Sequence, residues 1–178
     1  MLALVALLLC APPAGQQILD LRQGSLTYLV VHKLHQVRGT SKEVEGRALV
    51  LADGTVRVQV RAKVASFDSG NSNRDVNMRE VTHEAAHPYT EVRGMLSGVT
   101  LPLEGPRQAV LRGTVELNGE KQTQDVPVKL QPEDGGIRAT FTFPISLEGF
   151  KVERPQLLLV KVDDRATISG DLLFGAAK

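Results

Sequence analysis

Hydrophobic and polar residues alternate along most of the chain with a period of two. The segment 56–64 is the clearest example, because valine or alanine fills every even position while the odd positions carry Arg57, Gln59, Arg61 and Lys63. Successive side chains of a β-strand point to opposite faces, so the pattern is typical of a strand with one buried face. We therefore interpret these basic residues as a solvated outer face rather than as a patch for anionic partners.

Turn sequences separate the alternating segments. Asp53-Gly54 and Asn118-Gly119 each stand between two such segments and favour tight hairpins. Pro127 interrupts the segment that follows, which predicts an edge or bulge position. Glycines inside strand patterns favour a closed barrel over a sandwich, since barrels need bends and close approaches; they are Gly94, Gly98, Gly113 and Gly170. We expect an all-β fold, an antiparallel barrel of about eight strands with one main helix.

The stretch 66–93 departs from this alternation and is expected to hold the helix. Ser72 or Asn73 is a suitable N-cap, and Asp75 falls in the first turn, where the helix dipole favours a negative charge. The sequence predicts a helix from about Arg74 to Ala86, ended by Pro88. The segment Asp68–Asp75 superficially resembles a calcium loop but does not fit one, because such a loop requires Gly and an acid at the positions of Asn73 and Arg79.

A short metalloprotease pattern, His83-Glu84-x-x-His87, lies within the same stretch. On a helix, two histidines four residues apart share one face and can bind zinc, with the glutamate as general base. The extended motif with a third histidine is absent, and Pro88 would end the helix at the second histidine. Candidate third ligands, none in a recognisable context, are Glu91, Glu104, His32 and His35. Zinc chemistry is therefore an alternative rather than our main hypothesis.

Charge and composition indicate which classes of partner and which cellular location to expect. The 178 residues include 21 basic and 20 acidic ones, a net charge of +1, and only 4% are aromatic, which is untypical of a nucleic-acid binder. An apolar run at 2–9, followed by small residues and prolines, predicts a signal peptide at 1–14 and a periplasmic or secreted protein. Cys10 is the only cysteine, so removal of this leader would leave no thiol and no disulfide.

Several weak motifs, in a specific order, resemble the YceI-like family of exported bacterial proteins associated with polyisoprenoid or other lipid binding. The matching runs are Ser25-x-x-Tyr28-x-Val30-x-His32, Asn73-Arg74-Asp75, His87-Pro88, Leu111-x-Gly113-x-Val115-x-Leu117-Asn118-Gly119, Val126-Pro127-Val128 and Phe143-Pro-Ile-Ser146. This chain departs from the family pattern by placing His-Glu-Ala-Ala-His before Pro88, where aromatic residues are usual, and we interpret the Arg74-Asp75 pair as structural.

The resemblance implies a lipocalin-like barrel spanning residues 20–176, with a lipid or isoprenoid in its lumen and neither cofactor, catalysis nor stable membrane insertion. The alternating pattern agrees, because the apolar faces would point inward. The residues expected to line the lumen are Leu26, Tyr28, Val30, Val58, Val60, Leu111, Val115, Phe141, Phe143 and Ile168. The alternatives are a barrel filled by these side chains, with a structural or interaction role, and a zinc-dependent hydrolase. The oligomeric state stays open, a dimer included.

Overall fold

The computed structural model describes residues 16–32, 35–154, 156–157 and 160–177; the expected signal peptide at 1–14, with Cys10, lies outside them. Their secondary structure is mostly antiparallel strand. The strands are β1 (Gln17–His32), β2 (His35–Ser41), β3 (Val44–Val50), β4 (Val56–Lys63), β5 (Tyr89–Leu96), β6 (Arg107–Leu117), β7 (Glu120–Glu133), β8 (Gly136–Ser146), β9 (Gln156–Leu157), β10 (Val160–Lys161) and β11 (Arg165–Ala176). The α-helix α1 (Ser72–Val81) lies between β4 and β5.

The strands close into an eight-stranded barrel, which confirms the expected fold class. Neighbouring strands in the order β11-β8-β7-β6-β5-β4-β3-β1 are hydrogen-bonded, and β1 pairs with β11 to complete the ring. Strand β1 is long enough to pair with β3 through its first residues and with β2 through its last. A small hairpin of β9 and β10 stands apart from the main sheet.

The predicted hairpins are present, and their turns use the residues that such turns need. Asn118 and Gly119 join β6 to β7 with positive φ angles of 54° and 74°. Two successive positive φ angles are typical of the turn whose twist matches that of the flanking strands, and Asn-Gly adopts it readily. Gly54 likewise has a φ of 78° between β3 and β4.

The barrel wall is irregular between β7 and β8. Their pairing begins at Val128 and Phe141, so Pro127 lies just outside this ladder while still pairing with Val110 on β6. Proline has no N–H to donate, which suits a position with no partner on the β8 side. Beyond this point the residues 147–152, called the wall segment below, lie against β7 and bury Phe150 to 1% exposure.

The core follows from the alternation: inward side chains of all eight barrel strands form one apolar cluster. None of the described helices is long and apolar enough to cross a membrane. Helix α1 has no buried residue of its own and lies over the barrel end at which β4 finishes and β5 starts. We call this the α1 end, and the opposite one the far end.

Candidate functional site: the barrel lumen

The barrel is hollow. Its lumen contains a cavity of about 520 Å³, within the range of about 300–1,000 Å³ that is usual for small-molecule sites. All of the residues predicted to line the lumen do so: Leu26, Tyr28, Val30, Val58, Val60, Leu111, Val115, Phe141, Phe143 and Ile168. Contact between these side chains and a ligand stays a prediction. The cavity itself argues against the alternative of a barrel filled by its own side chains.

The two ends of the lumen differ in how they are closed. At the far end the loop between β5 and β6 turns inward, so that Val99 is 3% exposed and Leu101 packs against the core. At the α1 end the cavity is bounded by one face of the helix, made of Arg74, Asn77, Met78 and Val81. Because α1 buries none of its residues, this end is covered by a weakly packed element.

Tyr28 lies at the α1 end of the lumen. Its ring lies over Gly39 of β2, where any Cβ would collide with it, and its centroid is 5.8 Å from that of Phe67. Burial raises the pKa of the Tyr28 hydroxyl to about 12; the Asp75 carboxylate acts in the same direction and the Arg74 guanidinium in the opposite one. The phenol is therefore neutral at ordinary pH and lies within the electrostatic reach of the first turn of α1.

The other polar side chains at this end differ in their availability. The hydroxyls of Thr82 and Thr90 donate to the backbone carbonyls of Met78 and Glu116, at 2.7 and 2.9 Å. Among the described residues, the side chains of Arg74 and Asn77 make no hydrogen bond or ion pair. The rim thus presents a guanidinium and an amide to whatever occupies the lumen.

The structure corrects the predicted helix bounds and with them the zinc hypothesis. Helix α1 begins at Ser72, capped by the Asn71 side chain, and ends at Val81 instead of running from Arg74 to Ala86. It ends early because the Thr82 hydroxyl bonds back to the last turn and His83 adopts a left-handed φ of 47°. His83 and His87 consequently lie in a turn beyond the helix, and the pattern is not presented on a helical face.

Both histidines of the pattern contact the β6–β7 turn. His83 Nδ1 lies 2.8 Å from Asn118 Oδ1, and the His87 ring packs on Gly119. Asn118 Nδ2 donates to the carbonyls of Phe150 and Lys151, which can only accept, so its Oδ1 must face His83 and the proton sits on His83 Nδ1. Nδ1 of His83 is therefore committed to Asn118, and only Nε2 of this ring could bind a metal.

The proposed third ligands do not complete a site. Glu91 accepts hydrogen bonds from Gln59 and Arg93, and Glu104 lies in the far-end loop. The side chains of His32 and His35 lie outside those that the structure describes. Over the described part of the chain, no three His, Cys, Asp or Glu residues come together as a metal site would require.

The segment Asp68–Asp75, which superficially resembles a calcium loop in sequence, has a structural role. The Asp68 carboxylate accepts from the N–H of Gly70, and the Asp75 carboxylate accepts from the N–H of Ser69.

Sequence reasoning missed the contribution of α1 to the lumen. The four residues that bound the cavity, at 74, 77, 78 and 81, have the spacing of one helical face, and this was the available signal. Two of them are polar, which weakened the apolar stripe. The two residues of the Arg74-Asp75 pair, both interpreted as structural, have different roles. Asp75 accepts a hydrogen bond from the preceding loop, whereas Arg74 borders the cavity.

Geometry and comparison with known proteins define the class. A closed antiparallel barrel around an apolar lumen is a lipocalin-like architecture. The model of the YceI-like domain matches residues 18–174, and the chain belongs to the YceI-like family. The search of curated proteins gives no match.

Solved structures with the same fold are distant in sequence. A polyisoprenoid-binding domain from Saccharophagus degradans, implicated in plant cell wall breakdown, has 15% identity and a TM-score of 0.72, covering 89% of this chain and 98% of its own. Burkholderia cenocepacia BcnA has 17% identity and a TM-score of 0.70, over 84% and 95%. A YceI protein of Campylobacter jejuni has 15% identity and a TM-score of 0.51, over 68% and 72%. At these identities the likeness shows the fold.

Proposed function

We propose that this protein is an exported, non-catalytic carrier that holds a lipid or polyisoprenoid-like molecule in its lumen. The observation that carries the proposal is the cavity of about 520 Å³ inside a closed barrel, lined mainly by aliphatic and aromatic side chains. Transfer of an apolar chain from water into such a space is favourable in proportion to the area removed from water. The polyisoprenoid-binding domain of the same fold supports this choice of ligand.

The lumen also explains why such a ligand would need no catalytic group. Binding an apolar chain requires a continuous dry wall with a polar group at its mouth, which the strands and Tyr28 supply. His83, the one histidine of the protease pattern with a hydrogen bond among the described residues, is engaged in holding the turn after α1 to Asn118. These roles favour storage or transport over reaction.

Native mass spectrometry of the gently purified protein tests the carrier function. We expect an adduct of several hundred daltons that is released into organic solvent, where the ligand can be identified. A bare protein that also takes up no added isoprenoid quinone, isoprenoid alcohol or fatty acid would contradict the proposal. The same spectrum gives the oligomeric state.

A matched pair of variants locates the ligand. Val58 faces the lumen and Val110 the exterior, where it is 46% exposed. Val58→Phe should fill part of the cavity and remove the adduct, whereas Val110→Phe should retain it, with both variants folded by circular dichroism. An adduct that survives Val58→Phe and other lumen-filling changes would place the ligand elsewhere.

Export is tested separately. The segment 1–14, fused to a reporter enzyme that is active only outside the cytoplasm, should give activity, and mass analysis should give a mature chain beginning at Gly15. An inactive, unprocessed fusion would contradict export and leave the lumen assignment standing.

A further inference from the structure

The polarity of the lumen changes from one end to the other. The far end is closed by apolar side chains, among them Val99, Leu101 and Leu130. The α1 end carries the side chains of Tyr28, Arg74 and Asn77. A dry end and a polar end suit a ligand of the same asymmetry, with its apolar part against the far end and its polar group beside α1.

The volume limits how much apolar chain can enter. A methylene group is similar in size to a water molecule, whose share of the liquid is roughly 30 Å³, so the lumen accommodates on the order of 15–20 carbon atoms. That is enough for one chain of a common single-chain lipid and too little for the two chains of a phospholipid. The cavity of about 520 Å³ therefore favours one chain per barrel.

Arg74 supplies the charge at the polar end. Arg74 borders the cavity at its rim, where it is also exposed to solvent; its charge acts on Tyr28, and it has no ion pair within the part of the chain that the structure describes. The neighbouring carboxylate of Asp75 accepts from the Ser69 N–H, 3.1 Å away, and does not border the cavity. Two carboxylates also border the cavity: Glu91 accepts hydrogen bonds from Gln59 and Arg93, and Glu153, from beyond the wall segment, is exposed to solvent as Arg74 is. Of the charged groups that border the cavity, Arg74 is the one that acts electrostatically on the partly buried Tyr28 phenol.

We propose that the lumen selects a single-chain amphiphile with an acidic head group, a carboxylate or a phosphate, which Arg74 binds beside the Tyr28 hydroxyl. The planar guanidinium can donate two parallel hydrogen bonds to either anion, and the neutral phenol can donate a third. This inference rests on the proposed carrier function and names the chemistry of its ligand. It also gives α1 a second role, since the helix that covers the lumen carries Arg74, which would bind the head group of the ligand.

Displacement of a neutral dye tests whether the lumen prefers an acidic head group. The protein is loaded with N-phenyl-naphthylamine, whose fluorescence rises in an apolar cavity, and is titrated below micelle formation with hexadecanoic acid, hexadecanol and hexadecylamine. The same titrations use Arg74→Met and the matched control Arg79→Met, which removes the same charge from the same helix at a residue that does not border the cavity.

We expect the acid to displace the dye at roughly tenfold lower concentration than the alcohol in the wild type and in Arg79→Met. In Arg74→Met this advantage should disappear while the alcohol binds as before. Hexadecyl phosphate, titrated alongside, shows which of the two anions is preferred.

Three results would overturn the inference: an acid that binds no better than the alcohol, an amine that binds best, or an advantage of the acid that survives Arg74→Met. In each case the dye and the alcohol still bind, so the carrier function stands. A wild-type protein that binds neither the dye nor any of the amphiphiles would contradict both proposals together.

Discussion

The imidazole Nδ1 of His83 donates to Asn118 Oδ1 across 2.8 Å, joining the turn after α1 to the β6–β7 hairpin. Asn118 is 7% exposed and also donates through Nδ2 to two carbonyls of the wall segment, at 3.0 and 3.1 Å. The Asn118 amide thus links the turn after α1 to the wall segment, which lies against the part of β7 that does not pair with β8. The two histidines that suggest zinc chemistry in the sequence have this structural setting instead.

Removal of the Asn118 amide should be strongly destabilising. Asn118→Gly keeps the left-handed backbone but leaves two carbonyls of the wall segment without their donor, and we expect a loss of about 2–3 kcal/mol in the free energy of unfolding. Urea denaturation measures it. His83→Ala, which removes a more exposed partner, should cost about 1 kcal/mol or less. Equal losses in both variants would show that the wall-segment bonds contribute nothing beyond the bond to His83.

The ionisation of Tyr28 should be displaced to high pH. The chain has two tyrosines, so in Tyr89→Phe the tyrosinate absorption band reports Tyr28 alone, with an expected midpoint at about 12. The raised pKa means that the folded state favours the neutral phenol. This stabilisation is complete below the unfolded pKa of about 10 and is lost as the pH rises from about 10 to about 12.

Tyr28→Phe is the control for that loss. Between pH about 10 and about 12, the free energy of unfolding of this variant should fall less steeply than that of the wild type, measured by urea denaturation at successive pH values. A midpoint near 10 in the Tyr89→Phe titration would mean that the hydroxyl is exposed to water, and it would remove Tyr28 from the lumen.

Gly113 should tolerate no side chain. A Cβ at this position would overlap the backbone of β5 at Arg93 and Gly94, and backbone atoms cannot move aside as a flexible side chain does. We expect Gly113→Ala to cost about 3 kcal/mol, measured as the free energy of unfolding. Gly105→Ala is the matched control, since a Cβ there meets nothing within 4 Å. Similar unfolding curves for the two variants would show that β5 and β6 do not approach as closely as described.

Zinc should not stabilise the protein. His83 and His87 lie in a turn beyond α1 instead of on a helical face, and within the described residues no third ligand joins them. Equimolar zinc should leave the melting temperature of the wild type unchanged to within about 1 °C, and His83→Ala should respond in the same way. A rise of several degrees that is abolished by His83→Ala would restore the metal hypothesis.

The strands were predictable because their signal is local. The valines of β4 point inward and its basic residues outward, and Arg61 pairs with Glu45 at 2.7 Å on the outer face, as expected of a solvated surface. Asp53-Gly54 and Asn118-Gly119 form their turns for equally local reasons, since their backbone conformations suit these residues. Strand pattern and turn chemistry favoured a barrel with inward apolar faces, and the resemblance to the YceI-like family implied that these faces line a lumen.

The parts that could not be predicted depend on contacts distant in sequence. The sequence predicted that Pro88 ends the helix. The Thr82 hydroxyl and the left-handed His83 end it earlier, and His83 is held there by Asn118. The inward turn of Val99 and the wall segment around Phe150 likewise have no periodic pattern, since they fill spaces left by the strands. Arg74 became a candidate for ligand binding only when the helix was placed over the lumen.

Closure of the barrel by β1 and β11 has a consequence for how the protein folds. The register joins Leu19 to Ala176, so the final seam forms between segments at opposite ends of the described fold. Contacts of such long sequence separation form slowly, because loop-closure entropy opposes them until the rest of the sheet exists. Until β11 docks, the sheet has two unpaired edges and an apolar face open to water, which is the state most prone to aggregate. Docking of β11 is therefore the step that closes the lumen. Conditions that delay this step should reduce the yield of folded protein.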